Sequence, residues 1–138
     1  MENIYGKHLT LRLNQILANR ALDSQKIISK FLVDLVSHID MRILSGPLTG
    51  YEPGDSLKSG CSGVVILYES HIAIHTYPGR GELFLDIFSC KDFSTEKVMS
   101  FIQKCFGEFE VEEIAENNRG FHWSNKIDSE MKKWLKSK

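Results

Sequence analysis

The sequence predicts an α+β fold: a two-layer sandwich whose mainly antiparallel sheet is covered by helices on one face. Three observations carry this. The segments run strand, helix, a group of consecutive strands, then helix and strand. The links between the middle strands are too short for parallel crossovers, which need a dozen or more residues, so those strands pair antiparallel. Two segments carry apolar residues at helical spacing, in stripes wide enough to cover one sheet face.

Lys7 to Leu13 alternates polar and apolar residues and reads as the first strand. Ser24 to Ile39 carries Ile27, Ile28, Phe31, Leu32, Leu35, Val36 and Ile39 as a helical stripe. Met41 to Tyr51 is a second strand region interrupted by Gly46-Pro47, and Pro53 to Gly60 is a polar loop rich in turn formers. Strands follow at 63–68, 71–76 and 82–88. Ser94 caps a helix whose buried face is Val98, Phe101, Ile102, Cys105 and Phe106. Glu108 to Ile114 alternates again, and a last helix near 126–136 offers Ile127, Met131, Trp134 and Leu135.

At 138 residues, with 42% hydrophobic and 25% charged residues, the chain reads as one domain, 1–138, with an ordinary globular composition. A net charge of -1 gives no reason to expect nucleic acid or an anionic membrane as partner. Three cysteines without CxxC spacing suit a reducing compartment, and there is neither an export signal nor an apolar run of ~18 residues, so the expected location is cytoplasmic.

The chemistry concentrates at Glu69-Ser70-His71, where one strand yields to the next and neither strand needs these residues for packing. A serine between an acid and an imidazole at such a junction is a candidate for acyl chemistry at its own peptide bond; the alternative is a polar strand junction. His71 and His75 do not make a metal site, because four residues of strand span ~13 Å. No metal is expected.

The run from Ser62 to Cys90, SGVVILYESHIAIHTYPGRGELFLDIFSC, resembles the signature of the prokaryotic S-adenosylmethionine decarboxylases, and the likeness extends to Gly6-Lys7-His8 and Tyr51-Glu52-Pro53. The resemblance covers about the first 115 residues. It implies self-cleavage between Glu69 and Ser70, giving a β chain, 1–69, and an α chain, 70–138, whose Ser70 becomes a covalent pyruvoyl cofactor. That group takes the substrate amine as a Schiff base and acts as the electron sink for decarboxylation, a step in polyamine synthesis. The resemblance further implies that Ser62 donates to the oxyanion, that His75 takes the proton that drives elimination, and that Cys90 protonates the substrate carbon. It implies a homodimer with active sites at or near the interface, acting on a small molecule.

Two aromatics fall at the expected nucleoside site, Tyr51 where the family has Phe and Tyr77 where it has Trp. Gly79 stands where the family carries a ribose-binding Glu, so that Gly79→Glu is expected to restore a lost contact. The 54–61 loop is longer than the family norm. These departures touch recognition rather than processing and admit an alternative: a pyruvoyl-dependent decarboxylase of arginine or ornithine, with Glu52, Asp55 or Glu82 facing the cationic group. A non-catalytic regulatory homologue is the third reading, disfavoured by the presence of Ser62, Ser70, His75 and Cys90. Cys105 reads as buried and inert, and Cys61 as a loop residue with no assigned role.

Overall fold

A computed structural model describes residues 4–121 and 127–137. Its strands are β1 (Ile4–Asn14), β2 (Ile43–Glu52), β3 (Gly60–Leu67), β4 (Ser70–Tyr77), β5 (Glu82–Ser89) and β6 (Glu110–Phe121). Its helices are α1 (Asn19–Leu22), α2 (Gln25–His38), α3 (Thr95–Phe106) and α4 (Ile127–Lys136), with a single 3-10 turn at Pro78–Arg80. The strands form one antiparallel sheet in the order β2-β3-β4-β5-β1-β6, as the short links require. The α+β sandwich expected from the sequence is therefore present.

Period-two alternation sorts the sheet's faces. Leu9, Leu11 and Leu13 of β1, Val65 and Leu67 of β3, Ile72 and Ile74 of β4, and Leu83, Leu85 and Ile87 of β5 are buried together on the helix side. Ile28, Phe31, Leu32, Leu35 and Val36 of α2 and Val98, Phe101, Ile102 and Phe106 of α3 close that core. Phe31 bridges the helices, its ring 5.7 Å from that of Phe101 and 5.0 Å from that of Phe106. Both helices begin with serine caps: Ser24 Oγ accepts from the Ile27 N–H and Ser94 Oγ from the Lys97 N–H, each at 3.2 Å.

Several expectations are corrected. Ile27 lies at the edge of the α2 stripe and is exposed. Cys105 is exposed as well, beside Asp34 and Lys30 of α2, because the α3 stripe turns its centre to Val98 and Ile102. Cys61 belongs to β3 and is buried, not looped out. Trp134 and Leu135 of α4 are more than half exposed and add nothing to the core; the side chains of Ile127 and Met131 lie outside the described residues. Residues 111–120 of β6 are exposed throughout, as suits an edge strand, which α3 touches where the Thr95 hydroxyl donates to the Glu116 carboxylate.

One buried polar group ties the short α1 to the sheet. Thr76 Oγ1 accepts from the Cys61 N–H at 3.0 Å and donates to the Leu22 carbonyl at 2.6 Å. Thr76→Val removes both bonds while keeping the shape, and should cost about 1–3 kcal/mol. Guanidinium unfolding of the Ser70→Ala chain with and without the change measures this; an unchanged midpoint would show that neither bond stabilises the fold.

Candidate active site

β3 and β4 are joined by two residues, Tyr68 and Glu69, with Leu67 paired to Ser70. Hairpins this short favour positive φ at their central residues, a role suited to Asn, Asp or Gly. Neither Tyr68 nor Glu69 has a positive φ; the distortion falls on Ser70, whose φ is +148°. A non-glycine residue held in a sparsely populated region stores about 1–3 kcal/mol. The peptide bond entering Ser70 is thus attached to a strained residue.

The surroundings hold that bond from three sides. The Cys90 N–H donates to the Glu69 carbonyl oxygen at 2.9 Å. The Tyr68 N–H donates to the Arg42 carbonyl at 3.1 Å. The Glu69 carboxylate accepts from the Arg42 N–H at 3.1 Å and from Arg42 Nε at 3.3 Å, and the guanidinium lies 4.6 Å from the centre of the Tyr68 ring. Glu69 is only 7% exposed, so the sequence reading of this triplet as dispensable for packing fails for its first member. Burial alone would push the Glu69 carboxyl up. The hydrogen bonds from the Arg42 N–H, the guanidinium and its own N–H, with the guanidinium charge, outweigh that and hold it below the usual carboxylate range.

Cys90 follows β5 next to this junction, since Ser89 pairs with Ser70. Its exposed thiol lines a cleft of about 220 Å³ with Tyr5, Gly6, Lys7 and Asn118. Lys7 Nζ donates to the Phe93 carbonyl at 2.5 Å and sits 3.7 Å from Asp92 Oδ1 and 3.9 Å from Glu116 Oε1. The structure therefore brings Glu69, Ser70 and Cys90 together.

Ser62 and His75 form a second centre. They are cross-strand partners on the face away from the helices, and Ser62 Oγ lies 2.7 Å from His75 Nδ1. Ser70 and His75 are five residues apart on the continuous strand β4, about 17 Å at strand rise. Within one chain the pair does not reach Ser70.

The far end of the same face carries Tyr77, edge-on to Phe84 with ring centres 5.9 Å apart, in a pocket shared with Arg12, Leu57, Lys58, Arg80 and Glu82. Glu82 is held by Arg12, with Oε2 2.9 Å from Nη2, and Arg80 Nη1 stands 3.8 Å from its other oxygen. Asp55 is occupied in its own loop, where its side chain accepts from the Leu57 N–H and its carbonyl from Lys58 and Ser59. Glu52 is exposed at the end of β2. Three cations against one committed carboxylate leave no seat for a guanidinium or ammonium head group, and the basic-amino-acid reading loses its support. Tyr51 does not join Tyr77: its hydroxyl donates to Asp23 at 2.8 Å, beside α1, which pushes the phenol pKa up.

Gly79 is also explained differently. A Cβ built there would lie 1.8 Å from the Ser56 carbonyl oxygen, and one at Gly60 would lie 1.9 Å from that of Thr76. The 53–59 loop is strapped onto the Pro78–Arg80 turn, with Arg80 Nε donating to the Leu57 carbonyl at 3.2 Å. Loop and glycine are one feature, and the expectation that Gly79→Glu restores a contact is overturned. Arg12, Arg42 and Arg80 were missed from the sequence because each acts through a partner at least 20 residues away or across a turn; no local pattern marks them.

An α+β sandwich with a strained serine opening a central strand, and an exposed thiol beside it, defines a small scaffold built around one hairpin junction. The chain matches the S-adenosylmethionine decarboxylase family over residues 7–120. It is 34% identical over 116 residues to an S-adenosylmethionine decarboxylase proenzyme of Methanococcus maripaludis, covering 83% of this chain and 89% of that one. With another proenzyme of that species it shares 39% identity over 85 residues, 62% of this chain and 65% of the relative's length. The solved adenosylmethionine decarboxylase of Aquifex aeolicus has the same fold, with a TM-score of 0.64 at 23% identity, over 89% of this chain and 95% of that one. This chain belongs to the S-adenosylmethionine decarboxylase family.

Two outcomes follow from this geometry. Gly79→Ala should lift the 53–59 strap, lowering the melting temperature and opening the loop to limited proteolysis, and Gly79→Glu should do so at least as strongly; a Gly79→Glu chain as stable and protected as wild type would refute the fit. Because the native Glu69 carboxyl lies below its unfolded value of about 4.3, its stabilising contribution is complete above that value and lost as pH falls through the lowered one. The stability difference between Ser70→Ala and Ser70→Ala/Glu69→Gln should therefore shrink on acidification below pH ~4; a difference independent of pH contradicts the assignment.

Proposed function

We propose that this chain is a proenzyme that cuts itself between Glu69 and Ser70 and then decarboxylates S-adenosylmethionine for polyamine synthesis. The observation that carries the reading is the strained φ of Ser70 beside a carbonyl already held by the Cys90 N–H. Ser70 Oγ bonds to the Glu69 carbonyl carbon, the C–N bond to Ser70 breaks, and the hydroxyl proton passes to the freed amine. The Cys90 N–H donates to the carbonyl oxygen and stabilises the charge that develops there. Loss of the Ser70 Cα proton then expels the Glu69 carboxylate, and water displaces the Ser70 nitrogen as ammonia, leaving a pyruvoyl group at the head of the α chain.

The residues fit that group: Ser70 supplies its atoms, and its cross-strand partner Ser89 leads directly into Cys90. Once formed, it withdraws the electron pair left when CO2 departs from the substrate. In this reading the Cys90 thiol hands a proton to the substrate carbon. Tyr77 and Phe84 offer aromatic surface to the nucleoside. One tautomer lets the Ser62–His75 pair serve both its tasks: Nδ1–H donates to Ser62 Oγ, which frees the Ser62 O–H for the oxyanion and Nε2 for the Cα proton.

That pair stands about 17 Å from Ser70 in its own chain, which supports a homodimer in which each copy lends its pair to the other's Ser70. The outer sheet face is apolar enough to be covered: Val64, Ile66 and Leu48 are exposed there, Leu48 to 72%. The three free cysteines agree with a cytoplasmic protein.

Intact mass should give one chain ending at Glu69 and another beginning with pyruvoyl, and Ser70→Ala should abolish the cut. Co-expression tests the exchange. His75→Ala alone should stall uncleaved or as the ester, whereas paired with Ser70→Ala it should be cut, because the second copy supplies His75. Failure of the pair to complement while wild type processes would remove the exchanged site but keep self-cleavage.

A further inference from the structure

We propose that Arg42 is a positioning residue for self-cleavage: its guanidinium, stacked on Tyr68 and paired to the Glu69 carboxylate, holds the Glu69 carbonyl in the path of the Ser70 hydroxyl. The inference rests on the reading that the chain cuts itself at Glu69–Ser70. A turn built from Tyr and Glu has no intrinsic preference for its shape, and rotation of the Glu69–Ser70 peptide would return Ser70 to an ordinary φ. Such a rotation would also carry the carbonyl oxygen away from the Cys90 N–H. External anchors must prevent it.

Those anchors are the Cys90 N–H on the Glu69 carbonyl and the contacts made by Arg42. The backbone contacts of Arg42 survive any substitution there except proline. The side chain adds a donor to the second Glu69 oxygen and a cover for the Tyr68 ring, 4.6 Å from the guanidinium. The Arg42 side chain is 71% exposed, so its guanidinium stays hydrated, and after substitution the buried Glu69 carboxylate, its side chain 10% exposed, keeps the bond from the residue-42 N–H, so the loss to global stability is modest. Geometry and stability can therefore be separated. The step assisted is the acyl shift, in which small displacements of the attacked carbon weigh heavily on rate.

Pulse-chase of cell-free translated chains measures the cut directly. Arg42→Met should slow cleavage about tenfold, with Arg42→Lys recovering part of the rate, since it keeps the charge but loses the planar fork. In a Glu69→Gln background the effect of Arg42→Met should largely vanish, because Arg42 acts through that carboxylate. In uncleavable Ser70→Ala chains, Arg42→Met should leave the melting temperature within a few degrees while the Cys90 amide exchanges faster with deuterium. Cleavage at the wild-type rate in Arg42→Met, equal slowing with and without the Glu69 carboxylate, or unchanged Cys90 exchange would each overturn the proposal. A wild type that never cleaves defeats the self-cleavage reading instead, and the exchange measurement still decides whether Arg42 holds the turn.

Discussion

A two-residue hairpin without a turn-forming residue governs this molecule. Strands β3 and β4 must reverse direction over Tyr68 and Glu69, and β4 is paired on both sides, to β3 and to β5. Its first residue cannot slide or twist without breaking a ladder on each side, and a one-residue slip would turn Ile72 and Ile74 out of the core. The backbone strain stays at Ser70, where the rigid sheet leaves it. An edge strand could have relaxed. The central position of β4 is what keeps a strained residue within a stable fold.

The same sheet sets the distances between functional groups. Glu69, Ser70 and Cys90 gather at one end of β4 and β5, because Ser70 pairs with Ser89. Ser62, His75, Tyr77 and Glu82 gather towards the other end. Strand rise fixes the separation, and no side-chain rotamer closes about 17 Å. The face that carries Ser62 and His75 also exposes Leu48, Val64 and Ile66 to solvent. The 53–59 strap and Gly79 show the same coupling at smaller scale, since the loop's carbonyl occupies the space a side chain at 79 would need.

Much of the architecture was legible because it rests on periodicity. The alternation at Lys7–Leu13 and at 71–76 named the strands, the α2 and α3 stripes named the helices, and short links fixed antiparallel pairing. Ser62, Ser70, His75 and Cys90 were legible as a motif, in which residue types recur at set offsets along the chain. Cys61 and Cys105 were misjudged because burial depends on which neighbour covers an element's edge, and the sequence does not carry that information. Arg42 escaped for a related reason: its partners Tyr68 and Glu69 lie 26 and 27 residues further on, and only the hairpin brings them to it.

By itself the sequence determined the elements, most of the faces they bury and the family, since each is written in local spacing and side-chain type. Tertiary structure alone decided where the strain falls, which carbonyl receives the Cys90 N–H, that Glu82 is already committed to Arg12, and that Ser62 and His75 stand far from Ser70 in their own chain. Those properties belong to pairs of residues distant in sequence. Register and packing set them, and neither is a property of any segment taken alone.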